Sequence, residues 1–183
     1  RINNCTTLPR FVTTGCSSGA CTISSCASSY AECNDVVSDG CERLLNDNFG
    51  TCSGAIDIGS IAGDTGSGSI TRNSYGEYWY RFSLTEESTS SVYISATITL
   101  TTPAGVDYDL YVHGGGSCSS CVLSSTGGAG ATETINLRWD DRFALNDDRT
   151  VYIEIRFFGG STTGCGDWTL TVRGNTAVSS STC

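Results

Sequence analysis

The chain has no lysine, no methionine and no glutamine, and only one histidine and two prolines. Without lysine there is no Schiff base on a side-chain amine, no lysine isopeptide link and no phosphate loop of the lysine type. The ten basic residues are all arginine, and nineteen acids leave a net charge of −9. That balance argues against nucleic acid and against anionic membrane surfaces as partners. No apolar run approaches the roughly 20 residues of a membrane span. A chain that lacks methionine is expected to be a processed or excised one, and no signal peptide is visible in it.

Cysteine, by contrast, is abundant: eleven in 183 residues. This density predicts disulfides formed in an oxidising place, so the expected localisation is extracellular or cell surface. Six of them, Cys5, Cys16, Cys21, Cys26, Cys33 and Cys41, fall within residues 1–45. That segment has few large apolar residues and no clear period, so bridges must hold it. The others are Cys52, Cys118, Cys121, Cys165 and Cys183. One arrangement pairs the first six among themselves, Cys118 with Cys121 and Cys52 with Cys165. Cys183 is then left to bridge to another chain. A second arrangement returns Cys183 to Cys5.

From about residue 46 the pattern becomes alternation. EYWYRFSL (77–84), SVYISATITLT (91–101), VDYDLYV (106–112), TETINLRW (132–139), TVYIEIRFF (150–158) and DWTLTVRG (167–174) each place apolar residues on one face. Period-2 alternation rich in Thr, Val, Ile and Tyr marks half-buried strands. Gly, Ser, Asn and Asp clusters, GSGSITRNSYG among them, separate the runs. The expected fold is all-β, an antiparallel jelly-roll-like β-sandwich with a small disulfide-rich, loop-rich N-terminal segment. The expected divisions are 1–45 for that segment, 46–174 for the sandwich and 175–183 for a tail.

The stretch VDYDLYVHGGGSCSSC concentrates the chemistry-bearing residues. Its odd positions Asp107, Asp109, Tyr111 and His113 share the face opposite the core set. His113 with Cys118, Cys121 and an acid has the donor count for zinc. The cysteine-rich context favours instead a Cys118–Cys121 bridge and a solvent-facing His113. A Ser-His-Asp set has only His113 as a base and no nucleophile elbow. DTGS at 64–67 matches the aspartic-protease tripeptide, but that chemistry needs a second carboxylate loop, and no second copy exists. Calcium is the better metal expectation, because hard cations take oxygen ligands from acidic loops. Its candidate ligands are Asp107, Asp109, Asp140, Asp141 and Asp147. Trp79 and Trp139 lie on strands and are candidates for an exposed binding strip. NCT at 4–6 fits an N-glycan acceptor.

Two stretches carry a resemblance. CSSGACTISSCASSYAECNDVVSDGCE (16–42) resembles the cysteine-rich segments of secreted proteins of myxobacteria and related bacteria. Ser29 stands where those have glycine before the aromatic, and Asn34 where aspartate is commoner. Block 46–173, with NDNFGTCSGAIDI, EYWYRFSL, VDYDLYVH, ETI, TVYIEIRFF and DWTLTV, resembles the bacterial pre-peptidase C-terminal domain. The resemblance implies a non-catalytic jelly-roll-like sandwich appended to secreted proteins, often calcium-associated, that helps to target, bind or solubilise. The expected function is a non-catalytic extracellular structural or adhesive protein, a subunit of a surface assembly or filament joined by disulfide or strand exchange. An N-terminal stretch such as TLPRFVTT has the character of a donated strand. The alternative is an accessory module of a secreted hydrolase that binds carbohydrate or protein. The expected partners are further copies, another surface protein or a polysaccharide.

Overall fold

The structure is a computed structural model that describes residues 11–88, 93–162, 165–176 and 178, without the side chains of residues 11–14, 16 and 17. The readings placed on Asn4, Cys5 and Cys183 lie outside the described residues.

The alternating runs become strands at the expected places. They are β7 (Tyr78–Thr85), β8 (Tyr93–Thr101), β9 (Val106–His113), β11 (Thr132–Asp140), β12 (Arg149–Gly160) and β13 (Trp168–Gly174). Three further strands complete the sandwich: β5 (Ile56–Ala62), β6 (Ser69–Ser74) and β10 (Val122–Ser125). β6 runs through SITRNS, which reads in sequence as a separator. It is an edge strand with five of its six side chains polar, so alternation gives no signal there.

One sheet has the order β10-β9-β12-β7-β5, and the other has the order β11-β8-β13-β6. All pairings within them are antiparallel except β5 with β7. The inner faces meet in one core. Phe82, Leu84, Tyr108, Leu110, Ile153 and Ile155 come from the first sheet, and Ile94, Ile98, Leu100, Leu137, Trp168 and Leu170 from the second. Each is set by the period-2 alternation of its strand, which turns every second side chain inward.

Two of the core aromatics with polar tips, Trp168 and Tyr108, spend them on the turn before β7. The Trp168 Nε1–H donates to Gly76 O at 3.0 Å, and the Gly76 N–H donates to the Tyr108 hydroxyl at 3.0 Å. That hydroxyl donates in turn to Leu45 O at 2.6 Å. Gly76 sits at φ +80°, and a Cβ there would run into Asp47 O and the Phe49 ring, so only glycine fits.

The N-terminal segment is more ordered than its composition implies. β1 (Phe11–Ser17) and β2 (Ala20–Cys26) form a hairpin, with Cys16 opposite Cys21. Phe11 onward is therefore already paired within its own chain, which corrects the donated-strand reading for that part of TLPRFVTT. β3 (Tyr30–Ala31) pairs with β4 (Arg43–Leu44), and Ala31 and Leu45 enter the sandwich core.

The disulfides also correct the supposed pairing. Cys26 bonds Cys41, with a Cα–Cα separation of 5.8 Å. Cys33 leaves the N-terminal set to bond Cys165 at a Cα–Cα separation of 4.8 Å, and Cys52 bonds Cys118 at 6.1 Å. Cys21 and Cys121 are also disulfide-bonded. The N-terminal segment thus keeps one internal bridge, Cys26–Cys41, and is stapled onto the sandwich by Cys33–Cys165. Sequence could not give this pairing, because it depends on which loops the topology brings together.

Replacing Cys33 and Cys165 together by serine is expected to lower unfolding stability by about 2–5 kcal/mol, since the bridge closes a long loop. A denaturant midpoint at unchanged slope measures it. A loss below about 0.5 kcal/mol would mean that the segment docks through Ala31, Leu45 and backbone pairing alone.

Candidate metal centre

Two loops meet at one end of the sandwich: the turn after β7 and the loop 141–148 that joins β11 to β12. Trp139 fixes the second loop. It is 2% exposed, and its Nε1–H donates to Asp147 O at 3.1 Å. Trp139 is therefore a core anchor, which corrects its place in an exposed binding strip. The Arg149 guanidinium covers its ring at 4.5 Å.

Backbone hydrogen bonds lace the two loops together. The Asp147 N–H donates to Glu86 Oε2 at 3.0 Å, and the Glu86 N–H donates to Asp148 Oδ1 at 2.7 Å. Asp64 accepts from the amides of Glu87 and Ser88 at 3.0 and 2.8 Å. The acid of the DTGS match is thus a loop-binding carboxylate. Asp147 is held by Arg142, which donates from its backbone N–H, Nε and Nη2 at 2.6, 2.9 and 2.6 Å. These bonds hold the Asp147 carboxyl below the usual carboxylate range.

Asp141 is the exception. Both its carboxylate oxygens are shut off from solvent and have no hydrogen-bond partner. Glu86, Asp141 and Asp147 each bring an oxygen to within 4.8 Å of the others. Burial first, then the charges of Glu86, Asp147 and Asp64, push the Asp141 carboxyl up from its ordinary value. An all-oxygen donor set suits a hard cation such as calcium rather than zinc. A cation there would answer both the lone oxygens and the repulsion.

The structure thus brings together two of the five expected ligands, Asp141 and Asp147. Asp140 is exposed at the end of β11. Asp107 and Asp109 lie on β9 in the other sheet, where burial and then Glu133, for Asp107, or Asp107 and Glu133, for Asp109, raise both carboxyls. Sequence reasoning missed Glu86 and set Asp64 aside. The acidic pair in TEES directly after a strand was the available signal for Glu86.

The stretch VDYDLYVHGGGSCSSC resolves differently from either expectation. His113 is 4% exposed, not solvent-facing, although it points away from the core. It packs on Trp79 with ring centroids 5.1 Å apart, and its Nε2 lies 3.5 Å from Glu154 Oε2. The loops that carry Cys52 and Cys118 are tied together at this end of β9. Cys118 and Cys121 are both in disulfides, so neither offers a thiolate to zinc. Glu154 also pairs with Arg156 at 2.6 and 2.8 Å, and Arg156 lies over the Tyr111 ring at 4.4 Å. Trp79 remains half-buried on this outer face.

No protein-family model and no curated protein matches the chain. Among solved structures it is similar to the pre-peptidase C-terminal domain of a collagenase from Bacillus anthracis. The two are 12% identical, with 64% of this chain and 93% of that one covered and a TM-score of 0.38.

The raised Asp141 carboxyl fixes the sign of a pH effect. It binds its proton more tightly folded than unfolded, so its ionisation opposes folding. Without metal, the stabilising contribution is greatest below the ordinary carboxyl range and is lost as pH rises through the raised value. Asp141→Asn is therefore expected to raise Tm in chelator at neutral pH, with the gain shrinking on acidification. Calcium about 100-fold above its Kd is expected to raise the wild-type Tm by several degrees and to leave the variant unmoved. A variant that still responds to calcium would remove Asp141 from the centre.

Proposed function

We propose that the chain is a non-catalytic extracellular module with a structural role, a subunit of a surface assembly whose loop end is clamped by calcium. The observation that carries this is the position of the carboxylate centre. It lies between two connecting loops and joins them, where a cation adds stiffness. The groups that would serve catalysis have other work. His113 is packed beside Trp79 and Glu154, and Asp64 is bound by two backbone amides. Disulfides staple the N-terminal segment to the sandwich and tie loop to loop, which suits a protein that must persist outside the cell. The division at residue 45 is a change of architecture in this reading, not a flexible joint.

An accessory binding module of a secreted hydrolase is the second reading. Trp79, half-buried beside His113 on the outer face of the five-stranded sheet, is the residue that favours it. With Trp139 in the core, the proposed strip is reduced to Trp79, and the structural reading stands first.

Native material kept unreduced and in calcium is expected to contain species larger than one 19.2 kDa chain. Chelation and reduction together are expected to return it to single chains, as mass measurement and electron microscopy would record. A single chain under every condition would overturn the subunit reading. Retention on an insoluble polysaccharide, lost on Trp79→Ala, would put the second reading in its place.

A further inference from the structure

The N-terminal segment holds a second pair of carboxylates that nothing answers. Residues 32–42, ECNDVVSDGCE, contain four acids, Glu32, Asp35, Asp39 and Glu42, and no basic residue. Glu32 is 5% exposed. Its Oε2 and the Oε2 of Glu42 are both shut off from solvent and have no hydrogen-bond partner. A buried carboxylate oxygen left unpaired is costly, and two of them at one turn call for a cation.

Strand register brings the two together. In the β3–β4 pair Tyr30 lies opposite Leu44 and Ala31 opposite Arg43, so one residue further Glu32 falls opposite Glu42. The Leu45 N–H donates to Ser29 O at 2.8 Å, while the Glu32 N–H turns the other way, to Thr162 O at 3.2 Å. Glu32 and Glu42 therefore form a pair of the close, non-hydrogen-bonded kind, with Cα atoms about 4.5 Å apart and side chains on one face. Their other oxygens are held by successive amides. The Cys33 N–H donates to Glu42 Oε1 at 3.0 Å, and the Asn34 N–H donates to Glu32 Oε1 at 3.1 Å.

No side chain of the segment supplies the missing positive charge. Arg43, next to Glu42, is engaged elsewhere: its Nη1 pairs with Asp167 at 2.8 Å, and its guanidinium covers the Tyr75 ring at 4.2 Å. Further oxygens are at hand. Asp39 Oδ2 accepts from Asn34 Nδ2 at 3.0 Å, and Asp35 lines a pocket of about 200 Å³ together with Glu32.

We infer that residues 32–42 form a second hard-cation site, with Glu32 and Glu42 as its carboxylate ligands and calcium as the ion that an all-oxygen set suits. Water completes the coordination. Such a site is assembled as its segment folds, so the ion is enclosed between the strands rather than admitted to a finished cleft. Cys33 and Cys41 adjoin the two ligands and bridge to Cys165 and Cys26. The ion therefore clamps the turn at which the N-terminal segment is stapled to the sandwich. The inference stands apart from the loop centre at Asp141 and does not need the chain to self-associate.

Calcium binding in an Asp141→Asn background isolates the site. Isothermal titration of the unreduced, chelator-treated chain is expected to find one ion still bound by that variant. Adding Glu42→Gln is expected to weaken it at least about tenfold, a loss that follows even from removing an outer partner of a metal site. Glu32→Gln is expected to act alike. The glutamine at 42 keeps an acceptor for the Cys33 N–H and gains a donor for the Glu32 oxygen, so Tm in chelator is expected to hold or rise. That readout separates a lost ligand from a lost fold. An Asp141→Asn chain that takes up no calcium, or a double variant that binds as tightly as its parent, would overturn the site and leave the loop centre standing. A fall of Tm in chelator on Glu42→Gln would overturn it too, since the carboxylate would then stabilise the turn with no ion present.

Discussion

β12 is hydrogen-bonded to β7 over residues 149–155 and to β9 over residues 152–160, so that it is paired on both sides over 152–155. That doubly paired middle cannot slip without breaking two ladders, and it fixes the register from which both ends run. Everything of functional interest hangs on those ends. The carboxylate loop feeds its first residue, and the N-terminal segment docks at its last. The same strand carries Glu154, which faces His113 and Arg156 across the outer surface.

The polar groups of the structure follow one rule with few exceptions. Where a polar tip enters the interior it arrives with a partner, as Trp168, Trp139 and Tyr108 do. Among the described residues the exceptions include the two oxygens of Asp141, one oxygen each of Glu32 and Glu42, and both ring nitrogens of His113. Of these, Asp141 is the one surrounded by like charges from neighbouring loops, where a cation would satisfy it.

Stiffness is what links the disulfides to the acidic loop. Both restrain connections rather than strands, and connections are where a sandwich is softest. The Cys33–Cys165 bridge joins the N-terminal segment to the β12–β13 connection, and the Cys52–Cys118 bridge joins the loops before β5 and after β9. The β7–β8 and β11–β12 connections have no bridge among the described residues, and carboxylate-to-amide bonds join them instead.

By itself the sequence determined the all-β class and the inward set of each long strand. Alternation is local, and a side chain's face follows from its position along its own strand. That is why Leu110, Ile98 and Ile153 could be placed inward at once, and why Asp141 and Asp147 could be picked out as acids in a loop. Only the tertiary structure decided the rest. It put Glu86 beside Asp141 from a loop more than fifty residues away, turned Trp139 into an anchor, buried His113 and sent Cys33 to Cys165. Each of these depends on which loops the sheet order makes neighbours. Strand order is set by pairing between distant segments, and no local pattern records it.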